Sequence, residues 1–289
     1  MPRIIFVVTL ITRAAGELVA QEPGHPPPVI SAAQKNEHGF LVHRVECEFQ
    51  AGTTKIHVLL PDEIAPGQRL PVVYVLPVEA GEEHRFGRGL PEIARLDLHN
   101  QRKAIFVAPT FSHLPWYADH PATPTIRQES YLVEVVIPFV EMNYPAEASL
   151  QGRLLLGFSK SGWGAWSLLL RHSKLFGKAA AWDAPLMMEK MGGYGNTPIM
   201  GDEQNFQRYR VSTLLAAQAD ALAGEPRLIL TGYDNFRQHH RQAHALLDKL
   251  KIPHKYRDGP RCPHVWHGGW ITEAVELLLE KSETDKVEE

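Results

Sequence analysis

Apolar residues along this chain follow two kinds of pattern. Between residues 40 and 60 they alternate with polar residues in two runs, LVHRVECEF and KIHVLL, which the segment 51–54 (AGTT) separates. Alternation in two runs joined by a short turn predicts an antiparallel β-hairpin. From Pro71 onward the apolar runs become short and nearly continuous, and stretches of helical periodicity lie between them. Continuous runs are typical of strands buried on both faces of a parallel sheet.

Strands and helices are therefore predicted to alternate after the hairpin. The predicted strands are 71–76, 104–108, 153–157, 178–182, 227–231 and 255–257. The predicted helices are 92–100, 130–142, 162–171, 206–222, 238–251 and 272–281. This order predicts an α/β fold, a three-layer sandwich with a mostly parallel sheet and an N-terminal antiparallel hairpin. In such a sheet, the loops that follow the carboxyl ends of the strands carry the chemistry.

Composition narrows the class of protein. The 289 residues are 44% hydrophobic and 22% charged, which is ordinary for a globular enzyme. A net charge of −3 offers no broad positive field, so nucleic acid is not expected as a partner. No run approaches the ~20 apolar residues of a membrane span. The two cysteines, Cys47 and Cys262, make neither a disulfide scaffold nor a Cys-x-x-Cys metal pair.

The two ends are set apart from the predicted domain. Residues 1–37 are interpreted as a leader and a Pro-rich linker, 38–282 as a single domain, and 283–289 as a disordered tail. Arg3 and the apolar run 4–11 resemble a secretory signal with cleavage after Ala20. A start-site artefact or a disordered leader is the alternative, so an exported and a cytoplasmic location both stay open. Homo-oligomerisation also stays open.

One strand-to-helix junction indicates a nucleophile. The strand RLLLG leads directly into 158–165, FSKSGWGA, and then into a helical run. A reversal this tight exposes the hydroxyl of the central residue, Ser159, and needs small residues two positions away on each side. Gly157 and Ser161 meet that need, although Ser161 replaces the usual glycine. The backbone N–H of Lys160, at the helix start, is the predicted first donor to an oxyanion.

A serine nucleophile needs a general base and an acid that orients it. Partners on later strands, in the order Ser, acid, His, are predicted to be Asp234, after the strand at 227–231, and His264, in the Gly- and Pro-rich loop after the last strand. His267 in the same loop is the alternative base. Asp183, at the end of the strand 178–182, is the alternative acid or a structural aspartate.

Other candidate residues are weighed and set aside. His240 and His244 lie one helical turn apart, a spacing that can ligate zinc, but no Cys pair or HExxH glutamate accompanies them. Cys262 lies in a loop without the helix N-terminus that activates a thiol. No metal and no organic cofactor are expected.

These residues resemble the α/β-hydrolase superfamily, and in particular the putative-esterase branch that contains feruloyl esterases, S-formylglutathione hydrolases and mycolyltransferases. The resemblance covers roughly residues 40–279. It rests on the opening hairpin, PVVYVLP, the helix at 131–144, GFSKSGWGA, TGYD, and His264-Val265-Trp266 with Trp270. In that branch the catalytic histidine is typically followed by Trp two residues later, which favours His264 over His267.

The resemblance also locates a departure. The branch usually has His-Gly or Asp-Gly before the second oxyanion donor, whereas this chain has 76–81, LPVEAG. Pro77 has no N–H to donate. The resemblance then implies the N–H of Glu79 as donor, with Val78 as second choice. A carboxylate next to an oxyanion is unfavourable unless it points away or pairs with Lys160 or Arg85.

Aromatic residues accumulate in the same loops. They are Phe111, Trp116, Tyr117, Trp163, Trp182, Trp266 and Trp270. Trp116, Trp163 and Trp266 are predicted to bind substrate in an aromatic cleft, with loop packing as the alternative. The sequence thus predicts a serine esterase that cleaves a small-molecule or carbohydrate-linked ester through an acyl-enzyme. An acyltransferase to a sugar or lipid alcohol, or a non-catalytic binding protein of this fold, is the alternative.

Overall fold

The computed structural model describes residues 26–280, which form one ten-stranded sheet. The strands are β1 Val29–Ile30, β2 Gln34–Lys35, β3 Leu41–Glu46, β4 Thr54–Leu59, β5 Val72–Val75, β6 Ile105–Pro109, β7 Arg153–Phe158, β8 Lys178–Trp182, β9 Leu228–Tyr233 and β10 His254–Arg261. Their spatial order is β1-β3-β4-β6-β5-β7-β8-β9-β10, and β2 pairs with β3. β3 and β4 form the predicted antiparallel hairpin, with Leu41 opposite Val58. From β6 to β10 every neighbouring pair is parallel.

Helices cover both faces of this sheet. They are α1 Gly89–Arg95, α2 Leu98–Gln101, α3 Gln128–Ser130, α4 Ile137–Asn143, α5 Ser159–Arg171, α6 Thr197–Met200, α7 Glu203–Tyr209, α8 Val211–Ala217, α9 Arg237–Leu250 and α10 Ile271–Leu279. A π-helical segment, Tyr131–Val136, joins α3 to α4, and a 3₁₀ turn covers Asp220–Leu222.

Alternate residues of the buried strands divide the core into two layers. Val72 and Tyr74 of β5 pack with α4, α5, α8 and α9, whereas Val73 and Val75 pack with α1 and α10. Because successive side chains of a strand point to opposite faces, a continuous apolar strand supplies both layers. The predicted α/β three-layer sandwich is confirmed.

One predicted helix is broken. The interval 206–222 contains the end of α7, all of α8 and the 3₁₀ turn, and the break lies at Arg210, whose backbone is extended at φ −63° and ψ 119°. The carbonyl of Tyr209 accepts a hydrogen bond from the Ser167 hydroxyl at 3.0 Å instead of continuing the helix. Apolar periodicity persists across the break because Phe206 of α7 and Val211 and Leu215 of α8 are all buried in the same core layer.

The first two strands lie N-terminal to the predicted start of the domain at residue 38. β1 and β2 lie within the interval that the sequence assigned to the linker, and both pair with β3. The predicted signal segment and the tail 283–289 lie outside the described residues. Within residues 26–280 no helix is long and apolar enough to cross a membrane.

Candidate active site

Ser159 occupies a sharp corner between β7 and α5. Its φ is +52°, in the left-handed region that non-glycine residues rarely adopt, and the preceding Phe158 is still extended. A Cβ on Gly157 would collide with the carbonyl oxygen of Ser161, so the position two residues before Ser159 tolerates no side chain. This is the backbone geometry that the sequence pattern predicts for an exposed nucleophile.

Ser161 stabilises the corner through its side chain. Its hydroxyl accepts a hydrogen bond from the Phe158 N–H at 3.1 Å and donates one to the Phe158 carbonyl at 2.9 Å. Because both bonds close the turn around Ser159, the serine that replaces the usual glycine contributes two contacts that glycine could not make. The hydroxyl of Ser159 itself makes no hydrogen bond to another described residue in this conformation.

His264 lies in the loop after β10 and is hydrogen-bonded to Asp183. Its Nδ1 is 2.6 Å from Oδ2 of Asp183. The imidazole is 16% exposed, and its ring centroid is 5.0 Å from the ring of Phe158, the residue that precedes Ser159. The structure therefore brings an imidazole with an attached carboxylate next to the β7–α5 corner.

Asp183 is a fully buried carboxylate with three donors. Besides His264, the N–H of Asn235 donates to Oδ2 at 2.9 Å and the N–H of Phe236 donates to Oδ1 at 2.6 Å. Burial alone would raise the pKa of Asp183, but the hydrogen bonds from His264 and from the backbone around Asn235 hold the pKa below its ordinary value. Asp183 is thus a carboxylate at neutral pH.

The neighbouring backbone is fixed by a second histidine. Burial lowers the pKa of His240 to about 4, so the ring is neutral, and its Nε2 accepts the N–H of Ala184 at 2.8 Å. His239 similarly accepts the N–H of Met187 at 3.1 Å. Each ring accepts a backbone N–H, and neither role was visible in the sequence.

Asp234 does not contact His264, which corrects its prediction as the orienting acid. Its Oδ1 instead accepts a hydrogen bond from Nε of Arg261 at 2.9 Å. The physical reason lies in the strand register, because β10 shifts so that Arg261 pairs with Tyr233 and its side chain reaches Asp234. The alternative acid, Asp183, makes the contact that had been predicted for Asp234.

His267 and Cys262 do not reach this pair. His267 is exposed and lies against Gly87, where a Cβ would be 2.9 Å from its Nδ1. Burial, with the nearby Asp234 and Glu273 carboxylates, raises the pKa of Cys262, which disfavours the thiolate that a cysteine nucleophile needs. Of these loop residues, His264 alone is bonded to the Asp183 carboxylate.

The turn at 76–81 is fixed from three directions. The N–H of Leu76 donates to the Leu156 carbonyl at 2.9 Å, and the N–H of Gly81 donates to the Phe111 carbonyl at 2.8 Å. The hydroxyl of Tyr117 donates to the Pro77 carbonyl at 2.5 Å. Glu79, in the middle of this turn, has a backbone N–H that donates to no other described residue.

The Glu79 carboxylate serves the loop that follows it. Oε1 accepts the N–H of Arg85 at 2.9 Å and Oε2 accepts the N–H of Phe86 at 3.2 Å. The side chain is buried in that role. The carboxylate is therefore occupied by two backbone donors.

Lys160 links the helix start to the same turn. Its Nζ donates to the Val78 carbonyl at 2.9 Å. Burial lowers the pKa of Lys160, while the Glu79 carboxylate nearby raises it and Arg85 lowers it. Since Lys160 is the second residue of α5, its own backbone N–H has no intrahelical acceptor. One side chain thus ties the two predicted oxyanion donors, Lys160 and Glu79, to one another.

Burial contradicts the predicted substrate contacts of two tryptophans. Trp116 and Trp163 are both 0% exposed and pack edge to face, with ring centroids 5.4 Å apart. Both rings belong to the core layer between α5 and the sheet. Burying aromatic rings of this size contributes strongly to the stability of the fold. Trp266 is 2% exposed, but it lines a cavity that also contacts Val78 and Glu79. Ser159 and His264 do not line that cavity.

Three solved structures share the fold. An S-formylglutathione hydrolase (FrmB) of Staphylococcus aureus aligns with a TM-score of 0.66, 16% identity and coverage of 83% of this chain and 98% of that one. The S. aureus fluorophosphonate-binding serine hydrolase FphF gives 0.64 and 16%, with 89% and 100% covered. MPT51 of Mycobacterium tuberculosis gives 0.59 and 12%, with 88% and 97% covered. At these identities the likeness establishes the α/β-hydrolase fold alone.

Sequence comparison identifies the family. Esterase Rv1288 of M. tuberculosis is 26% identical over 139 residues, which are 47% of this chain and 30% of that protein. The matched region is therefore less than a third of the length of this relative. The model of the family described as Putative esterase matches residues 50–223. Since that match spans more than half of the 289 residues, the chain belongs to this esterase family, and the predicted resemblance to it is confirmed.

Proposed function

We propose that the chain hydrolyses a small-molecule or carbohydrate-linked carboxylic ester through an acyl-enzyme on Ser159. His264 Nε2 takes the hydroxyl proton as Ser159 Oγ attacks the ester carbonyl, and then gives that proton to the departing alcohol. In the second half, water attacks the acyl carbonyl as His264 takes its proton, the bond to Ser159 Oγ breaks, and His264 returns the proton to Oγ as the carboxylic acid leaves. Asp183 accepts the Nδ1–H of His264 throughout, which fixes the tautomer and stabilises the imidazolium.

The tetrahedral intermediate carries a negative oxygen, and two backbone groups are suited to it. The N–H groups of Lys160 and Glu79 are the proposed donors, in agreement with their lack of other acceptors among the described residues. Donors that are fixed before reaction need no reorganisation when charge develops, and each such donor contributes roughly 10²–10³-fold in rate. The Lys160–Val78 hydrogen bond supports this fixed arrangement.

The observation that carries the proposal is the His264–Asp183 pair beside a strained serine. The 2.6 Å contact to a buried carboxylate supports a fixed imidazole, and its ring centroid lies 5.0 Å from that of Phe158, the residue before Ser159. The reactive complex requires Ser159 Oγ to turn toward Nε2, and catalytic hydrogen bonds often tighten only once substrate is bound. The Glu79 carboxylate also weighs against the non-catalytic alternative, since a carboxylate held by the Arg85 and Phe86 N–H groups is not free to oppose an oxyanion.

A substitution at the nucleophile tests the proposal. We expect Ser159→Ala to lower kcat/KM for p-nitrophenyl acetate by at least ~10³-fold and to abolish labelling by a fluorophosphonate probe. Ser161→Gly is the matched control, since it removes the neighbouring hydroxyl and restores the usual small residue, and it should still be labelled. Half of the wild-type activity in Ser159→Ala would refute the assignment.

A further inference from the structure

We propose that His244, Asp248 and His254 form a binding site for a transition-metal ion, with Zn²⁺ as the best match. The three residues join the last turns of α9 to the first residue of β10. His264 follows the other end of β10, roughly 20 Å or more along the strand at ~3.3 Å per residue. The site is thus separate from the candidate active site.

The ligand atoms are already close together. One nitrogen or oxygen from each residue lies within 4.8 Å of those from the other two. His244 Nδ1 is 2.7 Å from His254 Nε2, and His254 Nε2 is 3.9 Å from Oδ1 of Asp248. Tetrahedral zinc with bonds of about 2.0–2.1 Å separates its ligand atoms by roughly 3.3 Å. Asp248 Oδ2 lies 3.5 Å from Nε2, the other ring nitrogen of His244. One ion on His244 Nδ1 and His254 Nε2 would therefore need the imidazole pair to open by about half an ångström and the exposed Asp248 side chain to turn toward them.

Hydrogen bonding prepares His254 to act as a ligand. Its Nδ1 lies 2.8 Å from the carbonyl oxygen of Ile252. A carbonyl only accepts, so Nδ1 carries the proton and Nε2 presents a lone pair toward His244 and Asp248. A backbone carbonyl on the second ring nitrogen is the usual way in which proteins fix metal-ligating histidines.

The other two ligands combine order with access. The His244 ring stacks on Tyr256, with centroids 4.0 Å apart and an interplanar angle of 23°. His244 and Asp248 lie four residues apart on α9 and so share one face of the helix. The Asp248 side chain is 60% exposed and His244 is 35% exposed, whereas His254 is 7% exposed. An ion can therefore enter from solvent and keep a water as its fourth ligand.

The ligand chemistry selects the kind of ion. Two imidazole nitrogens and one carboxylate oxygen suit Zn²⁺, and also Cu²⁺ or Ni²⁺, whereas Ca²⁺ and Mg²⁺ prefer oxygen ligands. A bound ion would tie α9 to β10. At free Zn²⁺ 100-fold above the dissociation constant, the equilibrium constant for unfolding should fall about 100-fold.

Calorimetric titration of the EDTA-treated full chain with ZnCl₂ in a non-chelating buffer tests the site. We expect one equivalent to bind, with affinity about 10- to 100-fold weaker in Asp248→Asn and in His244→Gln. Both side chains are partly or largely exposed, so folding should be preserved, which circular dichroism checks. His38→Gln is the control for binding by surface histidines, since His38 is 51% exposed and lies outside this cluster.

Two results would overturn the proposed metal site. Equal zinc affinity in the wild type and in the double variant His244→Gln/Asp248→Asn would mean that other groups bind the ion. Absence of saturable binding to the wild type would mean that the two imidazoles share only a proton. A Zn²⁺-dependent rise in the melting temperature that disappears in the double variant, but not in His38→Gln, would support the site independently of activity.

Discussion

Replacing Asp183 by asparagine is the sharpest perturbation of the proposed triad. The change keeps the size of the side chain but removes its charge and presents an amide to three N–H donors, those of His264, Asn235 and Phe236. An asparagine whose Oδ1 still accepts the Phe236 N–H places its N–H₂ where Oδ2 was, facing both the Asn235 N–H and Nδ1 of His264. The imidazole must then place its proton on Nε2, the atom that should receive the proton of Ser159.

The size of the effect follows from that tautomer. Asp→Asn changes that leave a Ser-His-Asp triad in place but reverse the imidazole tautomer lower kcat by about 10⁴-fold. A loss of 10³- to 10⁴-fold corresponds to about 4–5.5 kcal/mol in the activation free energy. Stability should fall as well, because hydrogen bonds to a charged group contribute about 1.5–3 kcal/mol each.

Asp234→Asn is the matched control. Its carboxylate pairs with Arg261, which is 71% exposed, and an exposed pair of this kind contributes about 0–1 kcal/mol. We therefore expect its kcat to stay within about threefold of wild type. Steady-state hydrolysis of p-nitrophenyl acetate gives kcat and KM for both variants, and thermal unfolding establishes that each is folded at the assay temperature.

Comparing Asp183→Asn with Asp234→Asn shows which of the two carboxylates orients the imidazole of His264. If Asp183→Asn kept more than a tenth of the wild-type kcat while Asp234→Asn lost three orders of magnitude, Asp234 would be the orienting acid. The contact between His264 and Asp183 would then be a resting arrangement that rearranges in the reactive complex. If both variants kept their activity, the triad itself would be wrong.

Two further substitutions test features around the site. Lys160→Met keeps the apolar stem but removes the donor to the Val78 carbonyl, so kcat should fall about 10-fold with little change in KM. Lys160→Arg should restore kcat. An unchanged kcat in Lys160→Met would show that the turn at 76–81 does not need this hydrogen bond. Burial alone would raise the pKa of Glu129, but hydrogen bonds from His172 and Arg171 lower it to about 2, so its stabilisation is present above pH 4.5 and is lost as the pH falls toward 2. Urea unfolding should show the free energy of unfolding falling by up to about 3 kcal/mol over this pH range in the wild type and in the exposed control Glu37→Gln. The same fall in Glu129→Gln, which has no carboxyl group at this position, would contradict the assignment.

Most of the fold was predictable because continuous apolar strands are a strong local signal. The predicted strand 178–182 coincides with β8, and that at 153–157 differs from β7 by one residue. The break at Arg210 was not predictable, since it depends on a hydrogen bond from Ser167 on α5 to a backbone carbonyl 42 residues away. Periodicity indicates which residues are buried, and both helical pieces contribute buried residues to the same core layer.

In the candidate site, too, features set by local sequence were predictable and those set by long-range packing were not. Ser159 and Lys160 were predicted from one contiguous segment, whose turn geometry is local. Trp116 and Trp163 were misassigned because sequence proximity to the corner does not distinguish a cleft wall from the layer beneath it. Their contact, 5.4 Å between ring centroids, joins the loop after β6 to helix α5.

The contact predicted between Asp234 and His264 is absent for a more specific reason. An imidazole needs a carboxylate at Nδ1, and the order rule predicts only which loop commonly supplies it. Here the segment after β9, where that rule expects the acid, contributes the backbone N–H groups of Asn235 and Phe236, and both donate to Asp183 at the end of β8. Because β8 and β9 are adjacent and parallel, a side chain from one and backbone donors from the other converge on one point. The acid can therefore follow β8 instead of β9, and the imidazole still has a carboxylate at Nδ1.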